Sequence, residues 1–263
     1  GDINNSSIDS GIGDDQIIRN GYGEATLSGG EGEDTLSYES FRQGIVLQRG
    51  GKVIKDDTSQ DIISDFSFET IIGSANNRNL IDARGGTVAN INLNLEDGVL
   101  SINDLPYIGK ASIHVINFTD AIGSENNDVM TDSKCANLID GASGDDTIIS
   151  NHGKDSIFGG AGNDHIKVAI GQGATISTGA GQDIISFTTG YLKGLLKKFR
   201  FQHSNEELET KTIEIESSAE ICTPADSQNQ SSTTNEHTAA QNQQSNRSKP
   251  ISTGNHLINP ETS

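Results

Sequence analysis

The chain has 263 residues, 37 acidic against 18 basic side chains, and a formal charge of −19. Apolar residues make up 32%, tryptophan is absent and glycine reaches 30 residues against 4 prolines, which excludes a thick core of large side chains and a collagen. No apolar run is long enough for a spanning helix, and so acidic a chain offers no basic surface to nucleic acid.

Charge and glycine are unevenly placed. Residues 1–187 carry 28 acidic and 11 basic side chains, residues 188–263 only nine and seven. After Gly190 only Gly194 and Gly254 remain. The chain opens Gly1-Asp2-Ile3, without an initiator methionine or a signal peptide, as expected of the C-terminal piece of a longer protein.

At the N-terminal end, residues 10–18 (SGIGDDQII) and 29–37 (GGEGEDTLS) are nine-residue units. Asp15 and Asp34 are followed two residues later by Ile17 and Leu36. Residues 20–28 keep Gly21, Gly23 and Leu27 but carry Ala25 where an acid is expected, and Ser6 holds that place in residues 1–9. Arg19 reads as an extra residue, making the Asp15–Asp34 step 19.

Residues 38–122 hold two longer units. Ile63-Ser64-Asp65-Phe66 with Ile72-Gly73-Ser74-Ala75-Asn76-Asn77 reappears as Val115-Ile116-Asn117-Phe118 with Ile122-Gly123-Ser124-Glu125-Asn126-Asn127. Each copy follows an alternating strand, at 44–47 and 91–95. Wider coils of one solenoid are expected there. Arg78 falls at the ligand position of the first re-entry, so no metal is expected at it.

From Gly123 the chain divides into nines without a gap: GSENNDVMT, DSKCANLID, GASGDDTII, SNHGKDSIF, GGAGNDHIK. The sixth positions are Asp128, Asn137, Asp146, Asp155 and Asp164; the eighth are Met130, Ile139, Ile148, Ile157 and Ile166. Residues 168–177 look degenerate and out of register, and 178–186 (TGAGQDIIS) restore the pattern with Asp183 and Ile185.

Glycines allow a tight turn, and x-apolar-x is a short strand with one side chain inward. A turn and a strand in nine residues carry the chain half way round, so 18 residues make a coil. Coils stack as parallel strands about 4.8 Å apart. Asp128, Asp146 and Asp164 then share one edge, with Asn137 and Asp155 on the other. Carboxylates at that spacing repel by roughly 3 kcal/mol per pair at an effective dielectric near 20. A cation midway would lie about 2.4 Å from each, a calcium bonding distance, with backbone carbonyls completing the shell. Magnesium needs shorter bonds, and zinc prefers His or Cys. Calcium fits.

These units resemble the RTX family of secreted bacterial proteins, whose nonapeptide is Gly-Gly-x-Gly-x-Asp-x-U-x, U being a large apolar residue. Residues 29–37 and 159–167 match it fully. The resemblance implies an all-β, right-handed parallel β-roll or β-solenoid with several calcium ions in its turns, type I secretion and calcium-driven folding outside the cell. The implied ligands are Asp15, Asp34, Asp128, Asn137, Asp146, Asp155, Asp164 and Asp183. Carbonyls of Gly11, Gly13, Gly29, Gly32, Gly141, Gly144, Gly159 and Gly162 would complete the sites. Ser6, Ala25, Arg78 and Asn137 depart from the acidic position, so fewer ions than units are expected.

The expected organisation is nonapeptides at 1–37, longer units at 38–122, calcium-binding nonapeptides at 123–187, a basic amphipathic cap at 188–217 and a polar, disordered tail at 218–263. The cap rests on Tyr191 to Arg200, and the resemblance assigns the secretion signal to the tail, the partner being the type I machinery. No His-Glu-x-x-His, Gly-x-Ser-x-Gly, Walker or EF-hand motif occurs, and every Gly-x-Gly lacks the later glycine of a dinucleotide loop. Histidines 114, 152, 165, 203, 237 and 256 are scattered, and Cys135 and Cys222 read as two isolated thiols ahead of a disulfide. The expected function is calcium binding by a non-catalytic, extracellular or cell-surface module, any toxin or hydrolase activity lying upstream. A calcium-rigidified adhesin spacer is one alternative. A β-helix enzyme acting on polysaccharide is another, but no strand-face cluster of acids with a Lys or Arg base can be assembled.

Overall fold

A glycine turn followed by acid-x-apolar reverses the chain every nine residues, and the computed structural model follows that rule wherever the nonapeptides are intact. It describes residues 6–56, 59–64, 67–85, 89–105, 109–169, 173–188, 200–202 and 212–214. All belong to one unit, Gly1–Gln228. The expectations for the basic segment 191–199 and the polar tail 218–263 lie outside the described residues. Among the described residues there is no α-helix, and no helix is long and apolar enough to cross a membrane.

The first strands are β1 (Ser6–Asp9), β2 (Gln16–Ile18), β3 (Ala25–Ser28) and β4 (Thr35–Ser37). They alternate between two sheets, β1 pairing with β3 and β2 with β4, all parallel. The C-terminal repeats alternate in the same way: β14 (Val129–Thr131), β16 (Thr147–Ser150), β18 (His165–Ala169) and β20 (Ile184–Thr188) build one sheet. Opposite them, β13 (Asp120–Ile122), β15 (Leu138–Asp140), β17 (Ser156–Phe158) and β19 (Thr175–Ser177) build the other. The chain is an all-β roll.

Each of the C-terminal nonapeptide strands sends an apolar side chain inward at the eighth position. In one sheet Met130, Ile148, Ile166 and Ile185 pair in register; in the other Ala121, Ile139, Ile157 and Ile176 do so. Met130, Ile148, Ile166, Ile139, Ile157 and Ile176 are fully buried. At about 25 cal/mol per Å² of buried apolar surface, such ladders supply the main cohesive term of a chain poor in aromatics. Residues 168–177, expected to be out of register, continue the roll with β19: Ile157 pairs with Ile176, a step of 19 residues in place of 18.

The middle departs from a purely parallel roll. Here β5 (Val46–Gln48), β6 (Lys52–Ile54) and β7 (Gln60–Ile63) form an antiparallel meander in the sheet of β1 and β3. In the opposite sheet β10 (Ile91–Asn94), β11 (Val99–Leu105) and β12 (Gly109–Ile116) do the same. The strands β8 (Thr70–Ile72) and β9 (Leu80–Asp82) carry the parallel path between them. The two longer units are thus antiparallel inserts, one per sheet. Beyond β19, β21 (Arg200–Gln202) and β22 (Thr212–Glu214) extend that sheet antiparallel.

Candidate metal centre

The parallel register brings the sixth-position residues of each sheet into a column along the roll edge. In the β14–β20 sheet the column runs through Asp128, Asp146, Asp164 and Asp183. Asp128 N–H donates to Asp146 Oδ1 (2.8 Å), Asp146 N–H to Asp164 Oδ1 (2.9 Å), and Asp164 N–H to Asp183 Oδ1 (3.0 Å). At the other end of this sheet Asp15 N–H donates to Asp34 Oδ1 (2.8 Å) and Asp34 N–H to Glu69 Oε2 (2.7 Å). One carboxylate oxygen per coil therefore zips the next coil on.

The second oxygen is the informative one. Asp34, Asp146 and Asp164 are each only 1% exposed, and among the described residues their Oδ2 atoms accept no hydrogen bond. A buried acceptor left unsatisfied costs about 1–3 kcal/mol, more when charged. These orphans face carbonyl oxygens across a space that only glycine leaves open. A Cβ on Gly141 would lie 2.2 Å from Gly159 O and 2.3 Å from Asp146 Oδ2. One on Gly159 would lie 2.2 Å from Thr178 O and 2.6 Å from Asp164 Oδ2, and one on Gly29 would meet Ser67 O and Asp34 Oδ2. An unsatisfied carboxylate oxygen beside a carbonyl of the next coil is an all-oxygen donor set. It suits a hard divalent cation.

The electrostatics agree. Burial pushes Asp146 up to about 8, its neighbours Asp128 and Asp164 adding to the shift and the Asp128 N–H opposing it. Burial likewise raises Asp128 and Asp164. Asp128, Asp146 and Asp164 are therefore costly to ionise in the folded roll without a cation beside them.

The remaining expected ligands fall into other classes. Asp128 Oδ2 is satisfied by Ser124, whose N–H (2.6 Å) and hydroxyl (3.1 Å) both reach it, because serine stands where other turns have a second glycine or alanine. On the opposite edge Asp155 Oδ1 takes the Asn137 N–H (2.9 Å) and Oδ2 the Ser150 hydroxyl (2.7 Å); burial raises Asp155 to about 6. Asn137 Nδ2 donates to Ser133 Oγ (2.9 Å) in its own turn and to Thr119 O (2.6 Å) of the preceding coil. Asp15 and Asp183 are half-buried at the column ends.

Among the carbonyls, Gly11 stands one position later in its unit than Gly29, Gly141 and Gly159, and its oxygen accepts the Glu31 N–H (2.8 Å). Gly29 O accepts the Ser10 hydroxyl (2.7 Å). Gly13, Gly32, Gly144 and Gly162 all have positive φ; Gly32 stacks on Gly13 and Gly162 on Gly144, where a Cβ on Gly162 would lie 2.0 Å from Gly144 O.

Two expectations are corrected. Arg78 does not stand in the acid column: the first re-entry turn has one extra residue, so Asn79 takes the place, its Oδ1 accepting the N–H groups of Ile45 (3.0 Å) and Ser74 (3.1 Å). Arg78 points outward and pairs with Asp120. Cys135, read as an isolated thiol, is disulfide-bonded, and Cys222 lies outside the described residues.

Three acids were missed. Glu69 continues the column beyond Asp34, and Asp61 stands beside Ala25 in the opposite one. Asp61-Ile62-Ile63 and Glu69-Thr70-Ile71 both carry the acid-x-apolar signature. Asp132 replaces a turn glycine; its Oδ2 accepts the N–H groups of Asn151 (2.6 Å) and His152 (2.8 Å), its Oδ1 is an orphan, and burial raises it to about 8. Among the described residues no three acidic, His or Cys side chains converge on one point. The donors are one carboxylate per coil together with main-chain oxygens.

A family model of the RTX calcium-binding nonapeptide repeat, in four copies, matches residues 136–166. Those residues are RTX calcium-binding repeats, a structural rather than catalytic unit. They include Asp146, Asp155 and Asp164. No curated protein matches the chain.

Proposed function

We propose that the chain is a calcium-driven folding module of a secreted bacterial toxin or exoprotein, with Asp34, Asp146 and Asp164 as its principal side-chain ligands. The supporting observation is the recurring buried Oδ2 that accepts no hydrogen bond and lies beside a carbonyl of the next coil. Asp15 and Asp183 would bind at the column ends, where half-exposure weakens the site. Asp128, Asp155 and Asn137, satisfied by serines and main-chain groups, hold coils together and call less for an ion.

The physical logic is linkage. Without calcium the column repels itself and buries unsatisfied charge, which opposes stacking. Calcium bound to the roll and not to the open chain stabilises the roll by mass action. In a cytosol poor in calcium the chain stays extended and exportable by type I secretion, the polar tail serving as its signal. Millimolar calcium outside then folds it. RTX repeats are typical of secreted proteins, which supports an extracellular setting.

Far-UV circular dichroism of the full chain through a calcium titration, with magnesium as control, tests this reading. A coil-to-β transition is expected with calcium alone. A β spectrum already present in chelator and unmoved by calcium would overturn it.

A further inference from the structure

The roll contains one turn with the same type of donors but a different occupant. The turn at Gly21 and Gly23 precedes Ala25, which pairs with Asp61 across β3 and β7. Ala25 N–H donates to Asp61 Oδ1 at 2.9 Å, the bond that Asp128 N–H makes to Asp146 Oδ1. Asp61 is thus the acid of the next coil in this column, and it is fully buried.

Its carboxylate is not left with an orphan oxygen. Lys55 Nζ lies 3.0 Å from Asp61 Oδ1, 2.5 Å from Gly23 O and 3.2 Å from Gly21 O. An ammonium has three N–H groups, and here all three have an acceptor. Arg19 adds Nε at 3.1 Å from Asp61 Oδ2 and a terminal nitrogen at 3.0 Å from Oδ1 and 2.5 Å from Gly23 O. The Tyr38 hydroxyl donates to Oδ2 at 2.8 Å. A column carboxylate and carbonyls of a glycine turn are the oxygens that a turn-bound cation would use. The ammonium and guanidinium together carry the same formal charge as one divalent ion.

Both carriers come from interruptions of the nine-residue period. Arg19 is the extra residue between Asp15 and Asp34, and Lys55 follows β6 in the antiparallel insert. Two irregularities that look unrelated in sequence converge on one carboxylate.

We propose that Lys55, with Arg19, is the built-in cation of a calcium-type site, so that the coil through Ala25 and Asp61 forms without metal and offers a preformed end on which the calcium-dependent coils stack. Removing the ammonium should open this turn to a divalent ion. The contrast drawn with the Asp146 and Asp164 coils rests on the function proposed above.

NMR-detected hydrogen exchange on the full chain tests it, in chelator, calcium or magnesium, for the wild type and Lys55→Ala. In chelator the wild-type Ala25 amide is expected to exchange at least about a hundredfold more slowly than the amides of Asp128 and Asp146. In Lys55→Ala that protection should vanish in chelator and return with calcium but not magnesium. A wild-type Ala25 amide that exchanges as fast as an unprotected Asp146 amide in chelator would overturn the proposal, whatever the variant does. So would a variant still protected in chelator, or one that calcium does not rescue. Asp128 and Asp146 amides protected in chelator would instead refute calcium-driven folding, and the loss of Ala25 protection in Lys55→Ala would still report on the ammonium.

Discussion

Asp146→Asn gives opposite signs in the two conditions that matter. Asp146 Oδ1 accepts the Asp128 N–H at 2.8 Å, and asparagine keeps that acceptor. Its Oδ2, buried and unbonded, becomes an amide NH2 beside Gly159 O, a carbonyl able to accept from it. The opposite edge already uses this solution, Asn137 Nδ2 donating to Thr119 O at 2.6 Å. Relief of one unsatisfied buried acceptor is worth about 1–3 kcal/mol. Above about pH 8, where Asp146 is ionised, removing its charge from a column of like charges adds to it. The calcium-free roll should therefore become more stable by about 1–3 kcal/mol. With calcium the variant should lose one ion's linkage, about 2.7 kcal/mol at roughly a hundredfold excess over the dissociation constant. The assay is urea unfolding followed by circular dichroism, in calcium and in chelator, with an osmolyte to hold the calcium-free chain folded. A variant less stable than wild type in chelator, or one that keeps the full calcium gain, would refute the reasoning.

The calcium-free roll should also respond to pH. Asp132 and Asp146 rise to about 8 and Asp155 to about 6 from an ordinary 3.8, so between those values the folded chain binds more protons than the unfolded one. Its stability should be greatest at acid pH and fall as pH rises from about 4 to about 8, and calcium affinity should rise over the same window as the ion displaces protons; a calcium-free stability that grows with pH would contradict this. Ser124→Gly removes the hydroxyl from Asp128 Oδ2 and should destabilise the calcium-free roll by about 1–3 kcal/mol while enlarging the calcium gain, as paired denaturation curves would show. Gly141→Ala would put a methyl 2.3 Å from Asp146 Oδ2 and 2.2 Å from Gly159 O, so calorimetry should find one fewer calcium bound; an unchanged ion count would place the site elsewhere.

The nonapeptide coils were legible because one rule, acid-x-apolar every nine residues, fixes strand, inward side chain and edge together. Met130, Ile148 and Ile166 form the ladder that rule requires. The rule failed where the period broke. Asp61 and Glu69 keep the local signature, but antiparallel inserts and longer turns change the step between coils, and counting by nines passes over them. Asn79 was displaced from its place by one extra turn residue, with Arg78 read in its stead. Antiparallel pairing within the longer units left no mark, because an alternating strand reads the same in either direction. The partition of the acids by satisfaction depends on single side chains such as Ser124 and Ser150, whose hydroxyls reach a carboxylate only once the turn is built. Even so, Ser124 stands in a glycine position of its unit, which is a readable sign.

Diffraction from crystals of the full chain grown in calcium, collected for the anomalous signal of the ion, tests the central claim most directly. The account predicts anomalous peaks bonded to Asp146 Oδ2 and Asp164 Oδ2 on the β14–β20 edge, and none beside Asp61, where Lys55 stands. A folded roll whose Asp146 and Asp164 oxygens have no ion against them would contradict it.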